Sequence, residues 1–433
     1  MVDGKQVYDL AKKLWNFNRS LTGDGVRLTL KNLRTICNLL KIKEVPSASK
    51  VFDWTIPQEW KVKSAYILSP NGKKILDFSK NNLHLVGYSC PVNGVFTLDE
   101  LNKKLFSLPK QPDAIPYVTS YYKKDWGFCL SHNQRKKLKK GKYKVVIDSK
   151  LFKGSLSYGE ICIKGKLNKE IFLSTYVCHP SMANNELSGP VVAIYLADWL
   201  KLQKKKLKYS YRIIFVPETI GSLTYLSQNL KVMKEKIVAG YNISCVGDDR
   251  TYSFLPSRNG NTISDNIAKH ILKWTYKKFK KYSWNDRGSD ERQYCAPGID
   301  LPIASVMRSK YGEYPEYHTS LDNLQKVVSP SGLQGSFEVY KKIITALENN
   351  CFPKATVLGE PHLSKRGLYS TLSNKSKETI DNERFLLNLL TYSDGQTSLL
   401  DIAEKCSAPI WKFYDLVKYL EKMKLLKLKE KKN

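Results

Sequence analysis

The sequence has no C-x-x-C pair, no apolar run near the ~20 residues that a bilayer demands, and only six histidines among 433 residues. The first absence removes the usual paired-thiolate metal and redox motifs, although nine cysteines are present. Their number is odd, and the opening MVDGKQVYDLAKKLW has no basic stretch leading into an apolar one. Reduced core thiols, a cytoplasmic location and no membrane span are therefore expected. Arginine is also scarce. The formal charge of +31 is built mainly from lysine in dispersed runs such as KLKKGKYK and KLQKKKLK. Dispersed lysine reads as a solvated surface, whereas a dedicated anionic partner is usually met by charge gathered on one face.

With 42% hydrophobic and 11% aromatic residues, the chain is globular and long enough for two or three domains. Residues 1 to about 45 carry helical spacing in LAKKLW and LTLKNLRTICNLL. From Val51 short β-rich runs alternate with turn signals, Pro70-Asn71-Gly72 above all. This predicts a small β-rich inserted domain over 48–135 within a larger domain made of 1–47 and 136–352. In the larger part YKVVIDS, EICIKG and EIFLSTYVCH open a rhythm of strands and helices. The rhythm predicts an α/β fold with a mixed, mostly parallel sheet covered by helices on both faces. Residues 364–433 offer three helical segments and a last β-like run, LLKLKE, which fit a winged helix.

Four polar clusters follow strand-like runs: His179 to Glu186, Glu218 with Thr219, Asp248 with Asp249, and the long loop from 286 to 324. Open α/β sheets place their sites beyond the carboxyl ends of strands. Two of the six histidines, His179 and His318, fall in these clusters. Two imidazoles with carboxylates are a ligand set suited to a hydrolytic zinc ion with one open position. Singly, each residue also suits a plainer role: Glu218 a helix cap, Asp248 and Asp249 a turn. Their ordered recurrence at four strand ends is what joins them.

The motifs LWNFNRSLTGDGVR, CHPSMANNELSG, VPETIGS, RGSDERQYCAPGIDLP and SKYGEYPEYHTSLDNL span nearly the whole chain. Together they resemble a bacterial subfamily of zinc aminopeptidase-like domain proteins associated with surface-polysaccharide biosynthesis. The resemblance implies a peptidase-like domain, a small inserted domain and a C-terminal winged helix. It makes His179 and His318 metal ligands and Glu218 the carboxylate that accepts a proton from an activated water. Asp248 is the third ligand, with Asp249 a close competitor. The sequence departs from the di-zinc pattern at Ser181, Asn185 and Thr219, where that pattern carries carboxylates. One zinc ion is therefore expected, with Glu186 a substitute ligand displaced by one residue from Asn185.

In the same loops Asp290 or Glu316 is expected to hold a substrate amine, and Arg287 or Arg308 a carboxylate or phosphate. Trp54, Trp60 and Tyr66 of the insert read as packing before sugar binding. The function expected is hydrolysis of a peptide or amide bond. The alternative is a non-catalytic binding or regulatory protein on a decayed peptidase scaffold, acting through its winged helix. Nucleic acid is not the expected partner, because SAPIWKFYDLVKYL carries two lysines and no arginine. Self-association into a homo-oligomer stays open.

Overall fold

The structure is a computed structural model that describes residues 2–276, 278–366 and 377–429. Two compact units divide the chain, 1–265 with 279–338 and 266–278 with 339–433. In the first unit α1 (Gly4–Leu14) and α2 (Asp24–Ile36) precede β1 (Lys41–Pro46). Then come β2 (Glu59–Leu68), β3 (Lys74–Asp77), β4 (Val92–Thr97) and β5 (Lys142–Phe152). The chain continues through β6 (Ser155–Ile163), β7 (Glu170–Tyr176), α3 (Ser188–Leu202), β8 (Ser210–Val216), α4 (Ile220–Lys236) and β9 (Ile237–Asn242). Three further strands complete the unit: β10 (Ser253–Leu255), β11 (Lys280–Lys281) and β12 (Ile303–Met307).

The eight-stranded sheet runs β1-β6-β8-β7-β9-β12-β10-β11. Its centre, β8-β7-β9-β12, is parallel, and antiparallel pairings flank it. The mixed, mostly parallel core expected from the sequence is present. All seven residues of β7 are buried, which explains why EIFLSTY reads as a continuous run without alternation. From β7 the chain crosses through α3 to β8 on one side, and from β8 through α4 to β9 on the other. Right-handed crossovers in opposite directions put α3 and α4 on opposite faces and make the carboxyl end of β7 a topological switch point. His179 leaves the sheet there.

Gly189 explains how tightly α3 sits. A Cβ at this position would lie 2.4 Å from both the Ile243 carbonyl oxygen and Thr175 Oγ1. Of the two reasons for a glycine at this junction, close approach and positive φ, the structure shows the first.

One strand is placed differently from the expectation. YKVVIDS lies in β5, which belongs not to the large sheet but to a four-stranded sheet ordered β3-β2-β5-β4. Its inward Tyr143, Val145 and Ile147 are buried, and the strand bridges β2 and β4 at the middle of the small sheet. The polar alternation of KYKVVIDSK is the signature of a one-sided antiparallel sheet, not of the parallel core.

In the second unit the final strand Leu426–Lys429 pairs antiparallel with Phe352–Ala355. It follows helices Lys377–Thr391, Leu399–Lys405 and Tyr414–Lys422, the helices and terminal strand of a winged helix. Among the described residues, no helix is long and apolar enough to cross a membrane, and all nine cysteines are free.

Candidate functional site

The turn after β7 is unusually wide. Leu187 and Ser188 donate their N–H groups to the carbonyls of Met182 and Ala183, five residues back. Such turns recur at functional sites because they redirect side chains at the head of a helix. Asp322 holds this one: its carboxylate accepts from the N–H groups of Asn184 (2.8 Å) and Asn185 (2.9 Å) and from the Tyr314 hydroxyl (2.9 Å). Burial pushes the Asp322 carboxyl up to about 6 against those bonds.

His179 Nδ1 lies 2.8 Å from Glu186 Oε2, and its Nε2 lies 3.6 Å from Glu218 Oε2. Glu186 therefore fixes the orientation of the imidazole and leaves Nε2 as the outward nitrogen, the arrangement in which a carboxylate positions a metal-ligating histidine. Glu186, expected from the sequence as a substitute ligand, thus lies against His179 and also supplies an orienting carboxylate that Ser181 lacks. Arg19 sits beneath, fully buried, with Nε 2.9 Å from the His179 carbonyl oxygen and 3.6 Å from Glu186 Oε1. Sequence reasoning did not single out Arg19, although it lies in the NRSLTGDG stretch. Burial depresses the His179 imidazole to about 3 and raises Glu186 to about 8, a rise that Arg19 opposes.

His318 comes from the last loop. Its ring centroid is 5.4 Å from that of His179, and its Nε2 is buried without a hydrogen-bond partner. Burial, then His179, depress it to about 3, so the imidazole is neutral at neutral pH. Tyr317 stacks on it at 3.9 Å. Tyr117 stands edge-on to both histidines, with centroids 5.1 Å from His179 and 5.4 Å from His318. Tyr117 was also missed, because it arrives from the stretch read as the insert. There Tyr117 N–H donates to the His318 carbonyl and Ser320 N–H to the Ile115 carbonyl, each at 2.9 Å.

Glu218 accepts a hydrogen bond from the Ser289 hydroxyl at 2.9 Å, and its N–H donates to Cys178 Sγ at 3.2 Å. Desolvation, then the charge of Asp290, push its carboxyl up to about 8. Asp290 is itself wholly buried and raised to about 7 by desolvation. Its Oδ1 accepts from Thr219 N–H (2.7 Å) and the Ser222 hydroxyl (2.8 Å), and its Oδ2 has no partner. Asp290, expected from the sequence to hold a substrate amine, is thus buried beside Glu218 with one carboxylate oxygen unpartnered. Four residues at these strand ends hold positive φ without being glycine: Ser181 (40°), Thr219 (63°), Cys245 (52°) and His318 (56°). Backbone strain of this kind concentrates where side-chain aim matters more than stability.

Several expected residues are occupied elsewhere. Asp248 is saturated: Oδ2 accepts from Asn184 Nδ2 and Ser309 N–H, both at 2.9 Å, and Oδ1 from Arg250 N–H (2.9 Å) and the Ser309 hydroxyl (3.0 Å). It braces three loops, and no hydrogen bond or ion pair joins it to either histidine among the described residues. Asp249 is exposed and accepts from the hydroxyls of Ser329 and Ser331. Arg308 is buried, bonded to Ser336 Oγ (3.2 Å) and the Gly332 carbonyl (3.1 Å), with its guanidinium 3.8 Å over Tyr252. Glu316 is clamped by Arg250 through two 2.9 Å bonds. Arg287 is exposed and lies over the Trp284 ring. Buried ion pairs and stacked guanidinium groups need a tertiary partner that charge patterning in sequence does not reveal. Among the described residues, the one group of three potential donors within 4.8 Å of one another is Cys178, His179 and Glu186.

Residues 8–350 match the family described as a domain of unknown function, DUF4910, and 351–428 match a winged helix-turn-helix family. A Clostridium acetobutylicum protein is 43% identical over 98% of this chain and 96% of its own, and its name joins polysaccharide biosynthesis to an aminopeptidase-like domain. This chain belongs to that aminopeptidase-like family. A crystal structure from C. acetobutylicum, provisionally described as a peptidase, superposes with a TM-score of 0.92 at 42% identity, covering 98% and 96% of the two chains. A zinc aminopeptidase from Bacillus subtilis superposes with a TM-score of 0.59 at 12% identity, covering 80% of this chain and 94% of its own. The second likeness shows that the family shares the zinc aminopeptidase fold.

Proposed function

We propose that this member of the family is a single-metal hydrolase of a peptide or amide bond that serves polysaccharide biosynthesis. The observation that carries the reading is the buried, unpartnered Nε2 of His318 beside His179, whose own Nε2 is turned outward by Glu186. Two neutral imidazoles, with the Glu218 carboxylate 3.6 Å from His179 Nε2, suit a divalent ion such as zinc, which would draw His318 in beside the Cys178, His179 and Glu186 donors that already lie within 4.8 Å of one another. A zinc ion bound there supplies Lewis acidity.

The chain's own residues do the rest. Glu186 and Arg19 keep His179 in one tautomer and one orientation. Glu218 moves the proton: a carboxyl raised to about 8 has an affinity matched to accepting a proton near neutrality and releasing it to a departing amine. Ser289 holds Oε1 of that carboxylate in place, and Asp290 keeps its proton affinity high. Tyr117 and Tyr317 wall the imidazoles against water, which strengthens every charge interaction inside.

Elemental analysis of the purified protein tests the reading directly. About one zinc per chain is expected, lost in both His179→Ala and His318→Ala, with amide hydrolysis abolished in Glu218→Gln. A protein that takes up no metal after reconstitution would leave an aminopeptidase-shaped binding protein instead.

A further inference from the structure

A second feature lies beside this centre. A cavity of about 380 Å³ is floored by Ser181 and Ser320, each two residues past one of the two site histidines. Its walls come from two other places in the chain, the loop after α1 and the segment after β3, which brings in Phe78, Lys80 and Asn82. The volume falls at the lower end of the ~300–1,000 Å³ that small-molecule sites occupy.

The lining is selective in its chemistry. Asn16, Asn18, Asn81 and Asn82 present four amides, Trp15 and Phe78 two aromatic surfaces, and no aspartate or glutamate lines the cavity among the described residues. Asn81 Oδ1 accepts from Leu83 N–H at 3.0 Å, the side chains of Asn16, Asn18 and Asn82 make no hydrogen bond to another described residue, and the Oδ1 of Asn82 is buried without a partner. The Asn82 Oδ1 is removed from water without a partner, whereas Asn16 is exposed and Asn18 half-buried, so the cavity offers one unpaired buried acceptor beside two amides that a ligand can reach. Each amide offers both a donor and an acceptor, which matches neutral groups that do the same, namely hydroxyls and acylamino groups. Aromatic faces match the apolar side of a ring. Lys80 is the single charged residue of the lining, so a cationic ligand such as a free peptide amine finds no counter-charge.

We propose that this cavity binds a pyranose ring carrying hydroxyls and an acylamino group. The inference deepens the proposed function by naming the substrate class as an amide attached to an amino sugar. It rests on that reading only for its placement next to the reacting bond.

Binding separates the two claims. Calorimetric titration of full-length Glu218→Gln protein with the methyl glycoside of N-acetylglucosamine is expected to give saturable binding. The double substitution Asn16→Ala with Asn82→Ala should weaken it at least tenfold with the thermal midpoint unchanged. Lys204→Ala, at an exposed position outside the lining, should leave it within about twofold. Titration with diglycine should give no saturable heat. The proposal is overturned if the glycoside fails to bind, if diglycine binds instead, or if the double variant binds as well as its parent. Because binding is read in a background without the proton-transfer carboxylate, sugar binding by that variant together with no amide hydrolysis by the zinc-loaded parent protein would sink the proposed function and leave this inference standing.

Discussion

Replacing Arg19 with Met tests the support beneath the site. Methionine keeps most of the length and fills the same volume, so the cavity contribution is small. What is lost is a cation with two short bonds, to the carbonyls of His179 (2.9 Å) and Leu14 (2.7 Å), in a place closed to water. A buried acceptor left unpaired costs about 1–3 kcal/mol, and the two losses overlap, so the expected destabilisation is about 2–4 kcal/mol. With an m-value of about 3 kcal/mol per M, the urea midpoint of metal-free protein falls by about 1 M. Far-ultraviolet dichroism and tryptophan fluorescence should both follow it, with the transition of the first unit separated from that of the second.

The same variant has a pH signature. Arg19 opposes the rise of the Glu186 carboxyl, which stands at about 8 in the intact protein. Without Arg19 the carboxyl stays protonated in the folded state to higher pH, while in the unfolded chain it ionises near 4.3. Above pH 8 the intact protein no longer loses stability from this group and the variant still does. The gap between them should widen by about 1 kcal/mol from pH 8 to pH 9. Adding Glu186→Gln should remove that widening. A midpoint shift below about 0.3 M, or a gap indifferent to pH and to Glu186→Gln, would refute the placement of Arg19 against Glu186.

Metal-free protein should lose thermal stability between about pH 6.5 and 8. Glu218, Glu186 and Asp290 are raised to about 8, 8 and 7, so the unfolded chain binds fewer protons across that window. Below it, His179 and His318 at about 3 pull the other way and are stabilising above their unfolded value. Calorimetric midpoints across pH 5 to 8.5 check the sign, and Glu218→Gln should flatten the upper limb. Asp248→Ala should cost about 2–4 kcal/mol by unpairing four donors, while zinc stoichiometry stays at its parental value; lost metal with unchanged stability would restore Asp248 as a ligand. Gly189→Ala should destabilise by about 1–3 kcal/mol, since its Cβ meets a backbone carbonyl that cannot move aside, and a neutral result in denaturant titration would contradict the packing of α3.

Much of this arrangement was legible in the sequence because it is local. The buried run of β7 and the polar cluster after it announced a strand end with chemistry, and the imidazoles of His179 and His318 do meet there. The role of Glu186 was not legible, since spacing alone does not tell a ligand from the residue that orients one. Arg308 and Glu316 looked like free charges because their partners, Ser336 and Arg250, lie far along the chain. Tyr117 gave no signal at all: nothing in 111–121 is periodic, and its meaning comes from a backbone pairing across some two hundred residues.

That pairing also bears on the order of events in folding. Arg19 reaches His179 across 160 residues and Ile115 reaches Ser320 across 205. Contacts so distant in sequence form late, after the entropy of closing long loops has been overcome. During synthesis the sheet strands up to β9 can be complete while the chemical centre does not yet exist, because His318, Asp322 and the partner of Tyr117 have still to leave the ribosome. The meeting of His179 with His318 is therefore a late event, possible only after residues 318–322 have emerged.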